Sequence, residues 1–111
     1  MYNPNEIYQK LIEAGTDWAD KKAAYELLNE LTKTILASLK KQSHGSSDAE
    51  RTTDALAHED YKIHLAETAG ARKAFLLAQV KYHSMQALAD ARRTEASTRR
   101  VEAQYVSMQD G

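Results

Sequence analysis

The chain has 111 residues, no cysteine and a formal net charge of −1; that length reads as one domain, 1–111, and the missing thiols exclude disulfides, thiolate nucleophiles and thiolate-held zinc. One Pro and four Gly against abundant Ala, Leu, Glu, Lys, Gln and Arg is the composition of long helices with few turns, so the predicted class is all-α. No run approaches the roughly 20 apolar residues of a membrane helix, and "MYNPNEIYQK" has neither a basic n-region nor an apolar h-region, which predicts a soluble, cytoplasmic protein with no membrane contact.

The first helix opens at "NPNE", with Asn3 as N-cap, Pro4 at the first helical position and Glu6 placed to close a capping box. From there Ile7, Leu11, Ala14, Trp18, Lys21, Tyr25, Leu28, Thr32, Ile35 and Leu39 step alternately by four and three residues. That repeat is the seam of a coiled coil or a long antiparallel hairpin, and it predicts a helix over about 4–41. Gly15 and Thr16 could break it, yet the seam passes through them without a phase change. Trp18 and Tyr25 lie on the seam as core residues, whereas Tyr8 sits one place off it, at the open end of the hairpin.

"QSHGSS" is the strong breaker cluster, and Ser47 followed by Glu50 signals a second capping box. A short connecting helix over about 48–57 follows, its apolar content too thin for a long seam, with a bend near His58 and Glu59. The last helix is predicted over about 59–105. Coiled-coil-like packing of the two long helices as an antiparallel hairpin is the expected architecture.

The last helix is not uniform. In "AFLLAQVKYHSMQALADA", Phe75, Leu76, Leu77, Val80, Tyr82, Met85 and Leu88 surround more than half of the circumference. One hairpin partner covers one stripe, so the excess predicts an oligomer interface built by Phe75, Leu76, Leu77, Val80, Met85 and Leu88, in a homo-oligomer that is a dimer or a tetramer.

After Ala91 the helical pattern persists while large apolar residues become scarce. In "ARRTEASTRRVEAQ", Ala89, Ala96 and Ala103 form a narrow spine, with Arg92 and Arg99 on one side and Arg93 and Arg100 on the other. Glu95 and Glu102 lie beside Arg92 and Arg99 and away from Arg93 and Arg100, and Glu95 with Arg99 is a favourable i,i+4 pair. Three readings fit: a solvated helix end; close helix packing along the spine, with arginine heads reaching carboxylates of the acidic segment; and a phosphate-contacting face. The residues at stake are Arg92, Arg93, Ala96, Arg99 and Arg100.

Charge is segregated along the chain. Residues 48–67 hold six acids and two bases, whereas residues 72–100 hold seven bases and two acids, a pattern that suits antiparallel self-association as well as an anionic partner. Metal-ligand spacing is absent: His58 and His64 are six apart, no His pair lies four apart, and Asp54 with His58 and Asp60 with His64 read as ordinary i,i+4 pairs. With no Gly-rich phosphate loop and no Ser, His, Asp arrangement, the sequence reads as a non-enzyme without cofactor or metal.

"KYHSMQALADARRTEASTRR", after an acidic "AHEDYKIHLAE" and a capped "SSDAERT", resembles the small all-helical proteins of unknown function encoded in phage and prophage early regions, which often also encode recombination and single-strand annealing functions. The resemblance covers most of the chain and rests on a helix pattern. It implies a phage setting in a bacterial host and a role near DNA metabolism, and carries no active-site residue; the sequence pI near 6.4 and the Glu neighbours of Arg92 and Arg99 favour a phage or host protein as the expected partner, with nucleic acid as the alternative.

Overall fold

A rod 92 × 21 × 15 Å is what these repeats build. The computed structural model describes residues 3–110, so residues 1, 2 and 111 of the expected domain lie outside the described residues. Three helices, α1 (Pro4–Gln42), α2 (Asp48–Ala57) and α3 (Glu59–Asp110), account for the fold, and no strand occurs among the described residues. Their order matches the helical hairpin with a short connector. The last helix continues five positions past the expected end, because "VSMQD" after Tyr105 contains no Gly or Pro to stop it.

The start of α1 forms as its residues dictate. Asn3 is extended (φ −77°, ψ 168°), its side chain accepts from the Glu6 N–H at 2.9 Å, and the Glu6 carboxylate accepts from the Asn3 N–H at 3.3 Å. The helix runs unbroken through Gly15. Glycine serves packing there, since a Cβ on residue 15 would stand 3.2 Å from Cε2 of Tyr82.

α1 and α3 run antiparallel: Thr32 meets His64, Tyr25 stacks on Phe75 with ring centroids 5.3 Å apart, and Trp18 packs on Tyr82 at 5.1 Å. Ile7, Ala14 and Leu39 of the α1 seam are buried, and the other seam positions are half-buried except Lys21, which turns outward to pair with Asp17 at 2.9 Å. The matching seam of α3 steps by three and four from Tyr61 through His64, Thr68, Ala71, Phe75, Ala78, Tyr82, Met85 and Ala89 to Arg92, and every one of these residues is buried or half-buried. Small alanines alternate with rings along this seam, and Ala78 and Ala89 are buried in it.

His64 is the one buried polar residue of this seam, 4% exposed. The Thr32 and Thr68 hydroxyls lie 2.8 and 3.4 Å from its Nε2. The Thr68 hydroxyl also donates to the His64 carbonyl at 2.8 Å, and the Thr32 hydroxyl lies 3.5 Å from the Leu28 carbonyl. The expected Asp60–His64 pair is therefore replaced by a bond across the seam.

The closed end is a set of local bonds. Ser43 donates to Asp54 at 2.5 Å and accepts from the Gly45 N–H, and Lys40 pairs with Asp48 at 2.9 Å. Ser47 caps α2 by accepting from the Glu50 N–H, but Glu50 returns its carboxylate to the N–H and hydroxyl of Ser46, so the expected box closes one residue early. Gly45 lies so close to α2 that a Cβ would stand 2.9 Å from Cβ of Glu50. His58 ends α2 in an extended conformation and starts α3, its Nδ1 accepting from the Asp60 N–H at 3.0 Å. That is the predicted bend, and it engages His58 with Asp60 in place of the expected Asp54.

Candidate functional site

The open end of the rod combines the first turn of α1 with the part of α3 whose character sequence left open. Ile7, 5% exposed, and Ala89, 7% exposed, close the last full layer of the hairpin. Beside them lies a groove of about 520 Å³, lined by Asn3, Pro4, Ile7 and Tyr8 from α1 and by Ala89, Arg92, Arg93, Glu95, Ala96 and Arg99 from α3. The capping box and Pro4 fix the α1 wall; Tyr8, 54% exposed, stands at its edge.

Four of the five sequence-selected residues, Arg92, Arg93, Ala96 and Arg99, line this groove, and Arg100 does not. The arginines are largely committed within their own helix. Glu95 receives Arg92 at 3.5 Å and Arg99 at 2.6 Å. Arg93, expected to be unmatched, pairs with Asp90 one turn earlier, at i−3. Arg100 has no ion pair among the described residues.

The acidic segment cannot supply carboxylates to these arginines within one chain, because α2 folds at the closed end, the far end of the rod. Its acids are engaged there as well: Lys40 holds the Asp48 carboxyl below its ordinary value, and the Ser46 N–H does the same for Glu50. Asp48 and Glu50 of the acidic segment, and Arg92, Arg93 and Arg99 of the basic one, are thus engaged by near neighbours.

The residues expected to form an oligomer interface divide into two sets. Phe75 stacks on Tyr25, and Met85 and Leu88 are half-buried, so these three spend apolar surface inside the hairpin. Leu76, Leu77 and Val80 are 38%, 61% and 63% exposed and line a shallow groove of about 310 Å³ with Ala69, Arg72 and Lys73. Sequence reasoning missed a further set past residue 100: Val101, Tyr105, Val106 and Met108 are between 54% and 80% exposed, because α3 outruns α1.

Comparison with known protein families, characterised proteins and solved structures gives no match for this chain. Among the described residues no group of three or more His, Asp or Glu could hold a metal ion, and no helix is long and apolar enough to cross a membrane.

Proposed function

We propose that this protein is a non-enzymatic helical interaction protein that works as a homo-oligomer and holds a phage or host protein in its open-end groove, as an accessory to phage DNA metabolism. The observation that carries the reading is the exposure of Leu76, Leu77 and Val80 along one side of α3. Contiguous apolar surface of this kind marks interaction sites in proteins that stay folded and dispersed. The groove adds a second surface, apolar at Ile7 and Ala96 and edged by Tyr8.

Self-paired arginines favour a protein partner over a phosphate backbone. An arginine bonded to a carboxylate must release it before contacting phosphate, and three of the four here are so bonded. Arg100, which has no such pair among the described residues, is the observation on the side of nucleic acid. Light scattering after size exclusion tests the reading: a mass of at least twice the 12.5 kDa chain is expected, and a monomer at tens of micromolar overturns the oligomer. Tight DNA binding at about 0.15 M salt that is lost on changing Arg93 and Arg100 to Ala, with a shallower salt dependence, overturns the preference for a protein partner.

A further inference from the structure

α3 carries two heptad seams, and the hairpin uses one. Opposite the first, a second 3–4 progression runs the length of the helix from Ile63 through Gly70, Leu77, Val80 and Val101 to Met108, with alanine, serine, threonine and Tyr105 filling its other positions. Lys73 is its only charged residue, and every position of it is exposed. The corresponding outer face of α1 holds Glu6, Glu13, Asp20, Glu30 and Lys41. A charge-poor heptad seam along a water-facing helix is the pattern of a helix that packs on a second helix.

We infer that the second seam is the self-association surface, and that two copies pair α3 to α3 in antiparallel order with the twofold axis near residue 75. The inference rests on the homo-oligomer reading and names its partner, orientation and register. Charge and size complementarity select that register. Antiparallel coiled coils bring flanking positions of the same type together. Centred near residue 75, Lys62 then faces Asp90 of the second copy and Glu67 faces Lys81, each twice by symmetry, with no like-charge pair across the seam. A parallel pair in register also sets Lys62 against Glu67 but puts Asp90 against Glu95, a like-charge pair that the antiparallel order avoids.

The core layers fit the same centre. Ile63 meets Ala87 and Gly70 meets Val80, large against small; a Cβ on Gly70 has nothing within 4 Å in the single chain. Leu77 meets the aliphatic stem of Lys73, whose ammonium reaches the edge. The order also lays the arginine-bearing end of each chain beside the acidic closed end of the other.

The native chain has no cysteine, so single cysteines report the pairing directly. Ile63→Cys and Ala87→Cys lie on the exposed face and spare the hairpin core. In one helix they are separated by about 36 Å. Mixed and oxidised with diamide, chains carrying one or the other are expected to cross-link only as the mixed dimer. Reversing two symmetry-related pairs with Lys62→Glu is expected to raise the dissociation constant about tenfold, and adding Asp90→Lys should restore it. Self-cross-linking of each variant would mean parallel pairing and would overturn the inference. Absence of any cross-link in a species of doubled mass would overturn this face and register while leaving the homo-oligomer intact; a single-chain mass would remove both.

Discussion

α1 and α3 contribute equally to the hairpin seam and differ on the side away from it. The outer face of α1 carries Glu6, Glu13, Asp20, Glu30 and Lys41, with Leu27 as its one large apolar residue, and the flanks of the helix close i,i+4 pairs, Asp17 with Lys21 and Lys22 with Glu26. The outer face of α3 keeps leucine, valine and alanine in a second register and continues for several turns beyond the point where α1 begins. A helix with one apolar stripe is complete once a hairpin closes on it, and a helix with two is not. α3, with 52 residues against the 39 of α1, spans about 78 Å of the 92 Å length of the rod.

The contrast predicts where substitutions act. The largest effect belongs to the shared seam: Leu39→Ala, at a side chain 5% exposed, is expected to cost about 2–5 kcal/mol in chemical denaturation. Leu27→Ala, at 58% exposure on the outer side of α1, is expected to stay within about 0.5 kcal/mol. Equal losses at the two positions would erase the distinction between inner and outer faces. Next is the polar layer within the seam, where Thr32→Val takes the nearer partner from buried His64 and is expected to cost about 1–3 kcal/mol. A loss no larger than that of Leu27→Ala would mean the His64 contact contributes little.

The hairpin itself was legible because its signals are local or strictly periodic. The Asn3 and Ser47 caps, the breaker cluster at 42–47 and the 3–4 steps of α1 each restrict the backbone on their own. The α3 seam was harder to read, because alanine, threonine and histidine occupy many of its positions and only the facing helix shows that they are inside. His64 illustrates the difficulty. Its sequence neighbour Asp60 suggested an ion pair, whereas its partner Thr32 lies on another helix. At the groove, sequence selected the arginines and placed Tyr8 at the open end, but did not set Ile7 and Tyr8 opposite those arginines as one wall, since which residues of α1 stand beside them depends on the hairpin register.

Two smaller effects sharpen the comparison further. In a Leu77→Glu background, chosen to oppose the proposed association, Gly70→Ala is expected to stabilise α3 by about 1 kcal/mol, because alanine is the better helix former and the added methyl meets open space. Gly15→Ala should gain less, since its methyl stands 3.2 Å from the Tyr82 ring. Equal gains in thermal melts would mean that ring does not press on α1.

The smallest effect lies at the closed end. Asp48 and Glu50 are held below their ordinary values of 3.8 and 4.5. A carboxyl with a lowered value in the folded state adds stability that is complete above its ordinary value and disappears as pH falls through the lowered one. Protection of the amides across residues 45–51, taken relative to their intrinsic exchange at each pH, should therefore fall on acidification through that range while the α1–α3 seam stays protected. Loss of protection that begins near neutral pH would point to a different titrating group.

Small-angle scattering tests the claim that α3 has a second, self-associating seam most directly, because it reads mass and length together. Two chains antiparallel about residue 75 place the two copies of Asp110 about 105 Å apart, so the expected particle has twice the chain mass and is only slightly longer than the 92 Å rod. Leu77→Glu should return it to the single-chain mass and length. A wild-type chain that stays single at tens of micromolar, or a doubled mass with a length near about 150 Å from joining the overhanging ends of α3, would contradict the claim.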